Sequence, residues 1–284
     1  MKRILVTGAA GQLGQDVCAE CERRGLTPVG VDLPEVDIGD RAAVDALVET
    51  ERPGAIVNCA AYNEVDKAEQ NFKNALWVNA IGPRNLAVAA ERAGVALIHF
   101  STDFVFDGRN NEPYTIADEP APLNRYGLSK LRGEAEVQGL TARHYVVRLS
   151  WVFGSGNDNF VRKVLAWAGN RKSIQVVEDQ TSCPCYTAHL APAVLDLLKS
   201  GAFGLYHLTN EGHCSRYEWA KTLLEMAGMD TEVEPVESSN FHTPAARPAF
   251  SAMDCWPIDL VIGRRLPHWR EASRQFLQEI GAIG

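Results

Sequence analysis

The chain has 284 residues, a hydrophobic fraction of 46% and a net charge of -8, so it can bury a full core and is acidic. No basic stripe is present, which excludes nucleic-acid binding by bulk electrostatics. No segment approaches the roughly 18 apolar residues of a membrane helix, and the short apolar run before Gly8 predicts a strand rather than a signal peptide. Seven scattered cysteines favour the reducing cytoplasm and structural thiols. A zinc site at Cys18-x-x-Cys21 is the distant alternative.

A glycine-rich turn follows the first predicted strand, residues 3–7. Gly8, Gly11 and Gly14 have the spacing G-x-x-G-x-x-G and precede a helical pattern that ends near Arg24. This arrangement is typical of a dinucleotide-binding turn, in which glycines let the backbone approach a pyrophosphate at a helix N-terminus. The alternative is a loop that needs glycine only for turning.

Asp32 ends the second predicted strand, residues 27–31, and lies 18 positions beyond Gly14. A carboxylate at this position accepts hydrogen bonds from both ribose hydroxyls of NAD and repels a 2′-phosphate. Arg3 is not placed to compensate for that charge. The sequence therefore favours NADH over NADPH as the cofactor, and the alternative is a turn aspartate before Pro34.

Strands and helices alternate further along the chain. Predicted helices cover residues 41–51 (capped by Asp40), 65–94 (broken near Gly82-Pro83) and 126–139, and predicted strands cover residues 55–59, 96–101 and 144–149. The pattern predicts an α/β fold, a Rossmann-type doubly wound parallel sheet, whose ligands lie at the carboxyl ends of the strands. Residues 60–62, Thr102 and Trp151 follow strands, and Asn79 is either a helix-packing residue or part of the site.

Tyr126 and Lys130 are four residues apart, so on a helix they share one face. A lysine ammonium beside a phenol stabilises the phenolate, and we expect it to lower the pKa of Tyr126 from the usual value of about 10. Tyr126 is then a proton donor or acceptor, and the Thr102 hydroxyl would bond the same reacting oxygen. The alternative is an ordinary surface tyrosine and lysine at the start of a helix.

The regularity weakens after residue 154. We therefore divide the chain into a dinucleotide-binding domain with the catalytic residues, 1–154, and a second part, 155–284. The second part holds the remaining sheet elements and a small C-terminal substrate-binding lobe. Arg247 lies in a long predicted loop near the end of this lobe, where it is a candidate anchor for an anion or an ordinary solvated arginine.

Five segments carry a resemblance to a known family. They are residues 6–14 (VTGAAGQLG), 58–69 (NCAAYNEVDKAE), 101–108 (STDFVFDG), 126–134 (YGLSKLRGE) and 148–154 (RLSWVFG). Shorter matches are Asp179-Gln180 and Ala246-Arg247-Pro248. With them the chain resembles, over nearly its whole length, the dTDP-4-dehydrorhamnose reductase family of the extended short-chain dehydrogenase/reductase superfamily.

The resemblance implies reduction of the C4 keto group of dTDP-4-dehydro-β-L-rhamnose to dTDP-L-rhamnose, a step that supplies cell-surface polysaccharide. It implies that Tyr126 donates the proton, that Lys130 holds the nicotinamide ribose and that Thr102 orients the carbonyl oxygen. The implied cofactor contacts are Gln12, Leu13, Asp37, Ile38, Ala60, Ala61 and Tyr62, and the implied sugar contacts are Val65, Phe104 and Trp151.

The chain departs from the family at four places. Phe104 replaces the usual tyrosine, Ser182 lies in a segment that is usually D-Q-x-G-x-P-T, and Arg216 lies in one that is often S-W-Y-E. Some members dimerise through magnesium held by glutamates, but here the residues are Gln15-Asp16. Magnesium is therefore doubtful, while a homodimer stays an expectation.

Three other functions remain open. The first is the same reduction on another nucleotide-linked 4-keto-6-deoxy sugar, which Phe104 and Ser182 suggest. The second is an epimerase or a dehydratase, for which Asp103 beside Thr102 would supply an acid. The third is a non-catalytic nucleotide-binding regulatory subunit, and the retention of Thr102, Tyr126 and Lys130 together argues against it.

Overall fold

The computed structural model describes residues 2–156 and 158–284. The strands are β1 (Arg3–Thr7), β2 (Thr27–Val31), β3 (Ala55–Asn58), β4 (Ala96–Thr102), β5 (His144–Leu149), β6 (Val152–Phe153), β7 (Ser173–Val177), β8 (Thr181–Ser182), β9 (Cys185–Tyr186), β10 (Gly204–His207), β11 (Cys214–Ser215) and β12 (Glu232–Val236). The helices are α1 (Gln12–Arg23), α2 (Arg41–Glu51), α3 (Val65–Ala68), α4 (Phe72–Leu76), α5 (Gly82–Ala93), α6 (Arg125–Leu140), α7 (Phe160–Ala168), α8 (Thr187–Ser200), α9 (Arg216–Met226), α10 (Ile258–Ile262) and α11 (Trp269–Glu279).

A parallel sheet forms the centre of the molecule. Within the described residues it has six strands in the order β10-β5-β4-β3-β1-β2. Its strands contain nearly continuous apolar runs, such as Ile4–Val6, because helices cover both faces. Helices α1 and α8 pack on one face, and α2, α5 and α6 pack on the other. The predicted Rossmann-type doubly wound sheet is confirmed.

The sheet has a topological switch point between β1 and β3. The chain runs outward from β1 to β2 and then returns across β1 to β3, so the loops after β1 and β3 diverge around a crevice. At the base of this crevice the two loops touch. A Cβ on Gly8 would lie 2.4 Å from the Ala60 amide nitrogen, and Gly8 has a φ of +68°. Only glycine combines that backbone conformation with so close an approach.

The predicted break at Gly82-Pro83 is wrong. The helical region is interrupted earlier, at residues 69–71, and α5 follows a π-helical turn, Trp77–Ile81, without a gap. Proline lacks an amide and crowds the preceding helical carbonyl. The wider π-helical turn changes that geometry directly before Pro83, so the helix continues through it.

The second part of the chain builds a smaller lobe and also completes the sheet. Helices α7, α9 and α11 pack with β7 around a core that includes Phe153, Trp219, Trp269 and Phe276. The same part of the chain also supplies α8, which packs on the main sheet, and β10, which forms one of its edge strands. Sequence reasoning missed β12, which carries charges and Pro235, and also missed α11. No helix of the described residues is long and apolar enough to cross a membrane.

The contact between the Gly8 turn and the loop after β3 predicts that two glycine substitutions lower the free energy of unfolding by different amounts. Gly25 has a φ of +71°, but nothing lies within 4 Å of a Cβ placed there. We expect Gly25→Ala to lower the free energy of unfolding by about 1–2 kcal/mol through backbone strain alone. Gly8→Ala adds a clash and should cost a further ~1–3 kcal/mol.

Urea denaturation of both variants measures the difference. Equal costs at the two glycines would contradict the close contact between the loops.

Candidate active site

A cleft of about 350 Å³ opens at the carboxyl ends of β1, β3, β4 and β5. Loops that follow different strands contribute to it, as expected for a parallel sheet. The predicted site residues that line it are Gly11, Gln12, Leu13, Gly14, Ala61, Thr102, Tyr126, Lys130 and Trp151. The cleft therefore combines the glycine turn with the tyrosine–lysine pair.

Helix α6 carries Tyr126 and Lys130 to the cleft. The side chain of Asn124 caps this helix by accepting from an amide of the first turn at 2.8 Å. A buried ion pair holds the helix on the sheet, because Arg148 of β5 donates to both carboxylate oxygens of Glu134, at 2.9 and 2.7 Å. A bidentate pair sets orientation as well as distance. The position of α6 relative to β5 is thus closely defined.

The Tyr126 hydroxyl lies near Thr102 and Asn63. Its oxygen is 3.4 Å from Asn63 Oδ1, and a side-chain hydrogen bond joins it to Thr102. Burial raises the pKa of Tyr126 above its ordinary value, while the bond with Thr102 acts in the opposite direction. The predicted lowering of this pKa by Lys130 is wrong for this structure. The phenol is protonated at neutral pH, so it can donate a proton.

Lys130 is directed at the end of β4. Its side chain is buried, and its ammonium donates to the carbonyl of Phe100 at 2.6 Å. Burial lowers the pKa of Lys130 to about 8, and the charge of Glu134 acts in the opposite direction. The lysine is therefore mostly cationic at neutral pH, but its ammonium bonds to a backbone carbonyl and not to the phenol.

Asp103 is buried next to Thr102 and accepts hydrogen bonds from three hydroxyls. Thr102 donates at 3.1 Å, Ser182 at 3.0 Å and Ser251 at 2.6 Å. Burial raises the pKa of the Asp103 carboxyl, and the hydrogen bonds lower it in part. Because both of its oxygens are engaged, Asp103 supports the Thr102 hydroxyl and is not the free acid that a dehydratase would need.

The glycine turn leads into the N-terminus of α1. Within the part of the chain that the structure describes, no side chain caps this helix. Its first-turn amides therefore fit a phosphate group. Gln12 Oε1 accepts from the Gly154 amide at 2.8 Å and from Asn159 Nδ2 at 3.0 Å. This predicted cofactor residue thus links the turn to the start of the second lobe.

Several predicted cofactor residues lie outside the cleft lining, and three of them belong to one segment of the chain. Asp32 accepts from the Ala10 amide at 2.9 Å, which ties the end of β2 to the glycine turn. Asp37 accepts from the indole nitrogen of Trp77 at 3.0 Å. Ile38 is buried in the core on the face of the sheet covered by α2, α5 and α6. All three lie in the segment that follows β2, as the sequence predicts.

Asn79 braces the loop that follows β3. It is fully buried, accepts from the Tyr62 amide at 2.8 Å and donates to the Tyr62 carbonyl at 3.0 Å. Its amide also donates to the Ser129 hydroxyl of α6 at 2.9 Å. In the same loop, Ala60 donates its amide to Asn58 Oδ1 at 3.2 Å, next to Ala61. The three bonds of Asn79 agree with the alternative that it is a helix-packing residue.

The predicted substrate contacts lie in three places. Val65 and Phe104 pack with Tyr126 in one apolar cluster, and the Phe104 and Tyr126 rings meet edge to face at 5.8 Å. Trp151 lines the cleft with a φ of 38°, a strained conformation for a bulky residue. Arg247 forms a bidentate ion pair with Asp66, at 3.1 and 2.7 Å. An anion at Arg247 would therefore compete with Asp66.

Sequence reasoning missed Asn63 and Ser251. Asn63 follows β3 within the segment 58–69, so its position at a strand end was a usable signal. Ser251 lies 148 positions from Asp103 and belongs to no motif, so nothing in the sequence predicted the contact. Among residues 2–156 and 158–284, no three His, Cys, Asp or Glu side chains form a group that could hold a metal ion.

An uncapped helix N-terminus at a switch point, with a tyrosine–lysine helix across the same crevice, is the arrangement of an extended short-chain dehydrogenase/reductase. Residues 1–282 match the family model described as "RmlD substrate binding domain". The chain belongs to this family of nicotinamide-dependent reductases.

Individual relatives cover almost the whole chain. It is 40% identical over 279 residues to a dTDP-4-dehydrorhamnose reductase of Mycobacterium tuberculosis, covering 95% of this chain and 91% of the relative. It is 36% identical to a dTDP-4-keto-6-deoxy-D-glucose reductase of Streptomyces niveus, covering 96% of each. The structure of dTDP-4-dehydrorhamnose reductase from Bacillus anthracis in complex with NADP superposes with a TM-score of 0.95, at 37% identity, over 98% of this chain and 100% of that one.

The buried position of Lys130 predicts an alkaline limit to activity. An ammonium whose pKa is lowered to about 8 is charged below that pH and neutral above it. Activity that needs the charge is therefore present below pH ~8 and is lost as the pH rises through it. We expect kcat/KM to fall on this limb, and Lys130→Arg, which stays charged, to move the limb upward.

A pH profile of both proteins measures the effect, with circular dichroism to establish that each stays folded. An identical alkaline limb in Lys130→Arg would assign the fall to another group.

Proposed function

We propose that the chain reduces the C4 keto group of dTDP-4-dehydro-β-L-rhamnose and so forms dTDP-L-rhamnose. The observation that carries this proposal is the meeting of Thr102, Tyr126 and Lys130 in one cleft with the glycine turn. A nicotinamide bound in the crevice supplies the hydride. The chain's own residues bind and orient the keto sugar and deliver the proton.

Each of the three residues has a separate task. Tyr126, protonated at neutral pH, donates its proton to the oxygen that becomes the C4 hydroxyl. The Thr102 hydroxyl donates to Asp103 in this structure, and it turns its single proton to the same C4 oxygen when the keto sugar binds. Lys130 holds the nicotinamide ribose at the end of β4 and adds positive charge near the developing alkoxide.

A second candidate substrate is another dTDP-linked 4-keto-6-deoxy sugar. The Streptomyces niveus relative has a different 4-keto sugar in its name and nearly the same identity to this chain. Phe104, which packs against Tyr126, removes a hydroxyl from the predicted sugar site. Such a change alters sugar selection more than the hydride chemistry.

We also propose that NADH is preferred to NADPH. Residues 25–40 contain no Lys or Arg, so no cation in this segment offsets the charge of Asp32. Arg3 lies at the opposite end of the neighbouring strand β1 and pairs with Glu51 at 3.1 Å. A 2′-phosphate at the end of β2 would therefore meet a negative charge without a counter-ion. Because the Bacillus anthracis relative was solved with NADP, the preference must come from this chain's own residues.

Loss of the phenol hydroxyl tests the reaction. We expect the purified protein to oxidise reduced nicotinamide when dTDP-4-dehydro-L-rhamnose is added. We expect Tyr126→Phe to lower kcat by roughly 10²–10⁴-fold, the usual effect of losing a general acid, with cofactor affinity unchanged. Absorbance of the reduced nicotinamide follows the reaction, and cofactor fluorescence gives the affinity.

Two results would contradict the proposal. Near-normal turnover in Tyr126→Phe would remove Tyr126 from the proton transfer. Faster turnover of dTDP-4-keto-6-deoxy-D-glucose by the unmodified protein would favour the second substrate.

Removal of the Asp32 charge tests the cofactor preference. We expect Asp32→Ala to narrow the ratio of NADH to NADPH affinity by roughly 10-fold or more, because like charges in contact cost a few kcal/mol. Asp32→Asn is the matched control for the loop, since it can still accept from the Ala10 amide while lacking the charge. Both variants should narrow the ratio. An unchanged ratio in both would leave Asp32 with a role in the turn alone.

A further inference from the structure

Arg216 is the first residue of α9 and carries its charge where the helix itself disfavours it. A capping box begins this helix, with Ser215 and Glu218 each bonding the other's backbone amide. The N-terminus of a helix has a partial positive charge, so a cation in the first turn is unfavourable. Arg216 therefore does not stabilise its own helix through its charge.

Three aromatic rings surround the Arg216 guanidinium. The guanidinium carbon Cζ lies 3.6 Å from the ring centroid of Trp151, 4.7 Å from that of Phe160 and 5.7 Å from that of Trp219. Trp151 also lines the cleft that contains the catalytic hydroxyls. Aromatic rings bind the flat face of a guanidinium and leave its N–H edge available to other groups. The cation is thus held beside the cleft by contacts that do not neutralise it.

No hydrogen bond or ion pair joins the guanidinium to another group among residues 2–156 and 158–284. The carboxyl that acts on it most strongly is Asp103, which is engaged by three hydroxyls, and Arg247 repels it. Burial lowers the pKa of Arg216 from a value so high that the group is still charged at neutral pH. Arg216 is half-buried, and none of its nitrogens is both fully buried and unpaired, so the N–H edge of the charged guanidinium is open to a ligand.

We propose that Arg216 binds the diphosphate of the nucleotide-sugar substrate, an inference that rests on the function proposed above. Trp151 lines the cleft that contains Tyr126 and also stacks on Arg216, so the guanidinium lies within reach of the diphosphate of a sugar nucleotide whose C4 carbonyl is at Tyr126. A guanidinium fork matches two phosphate oxygens in bidentate geometry. The diphosphate of the cofactor has its own binding place at the N-terminus of α1, in the other lobe.

Calorimetric titration of the full chain with thymidine, dTMP and dTDP tests the contact without any turnover. We expect Arg216→Gln to weaken dTDP binding by roughly 10- to 100-fold, the usual effect of losing a hydrogen bond to a charged group. Thymidine binding, which involves no phosphate, should be unchanged. Arg216→Lys should restore part of the affinity, because it keeps the charge without the fork.

Arg270→Gln is the matched control. Arg270 also stacks on a tryptophan of the second lobe, 4.5 Å from the ring centroid of Trp269, but it is exposed, donates to the Thr222 hydroxyl and stacks on a tryptophan that does not line the cleft. We expect its removal to leave the affinity for dTDP unchanged. Thermal denaturation of each variant reports any loss of packing separately from binding.

The outcomes separate the two proposals. Equal dTDP affinity in Arg216→Gln and the unmodified chain would overturn the Arg216 contact and leave the proposed reaction intact. Equal weakening of thymidine and dTDP would assign Arg216 to packing, and would also overturn it. Absence of dTDP binding to the unmodified chain, with normal cofactor binding, would overturn both the contact and the dTDP-linked substrate.

Discussion

The candidate site depends on where α6 lies against the sheet. The charged groups of Arg148 and Glu134 are almost fully buried, and a buried pair is stable only when its hydrogen bonds are complete. Ser101 supplies a further bond to Glu134, at 2.5 Å, from the residue before Thr102. On the same helix a Cβ at Gly133 would lie 2.1 Å from the Asn79 carbonyl oxygen. The Arg148–Glu134 ion pair and the lack of a side chain at Gly133 together fix the position of α6 between the sheet and the neighbouring helical segment.

Much of the fold could be predicted because its signals are local. Strands buried on both faces read as apolar runs, and the glycine turn marks the first switch between strand and helix. The helical region 65–94 was harder to predict, because the effect of Pro83 depends on a π-helical turn that no residue type in the sequence indicates. The lobe core was harder still, because residues such as Phe153 and Phe276 meet only after distant helices have packed.

The site shows a different limit. Spacing places Lys130 beside Tyr126 on one face of a helix, but it does not reveal that the ammonium bonds to the Phe100 carbonyl. Spacing likewise puts Arg247 in a loop near the site, but not in an ion pair with Asp66. Buried polar groups bond to whichever partner the folded backbone offers, and that partner is seldom near in sequence. The positions of the candidate residues in the fold were thus more predictable than their contacts.

The hydroxyls around Asp103 have a consequence for the order in which the candidate site is completed during synthesis. The strand that ends at Thr102 leaves the ribosome long before Ser182 and Ser251, whose hydroxyls complete the surroundings of the Asp103 carboxyl. A nascent chain that ends after β5 therefore lacks two of the three hydroxyls that donate to Asp103, and keeps only that of Thr102. The end of β4 acquires its full set of hydrogen bonds only when the segments that carry Ser182 and Ser251 have folded onto it.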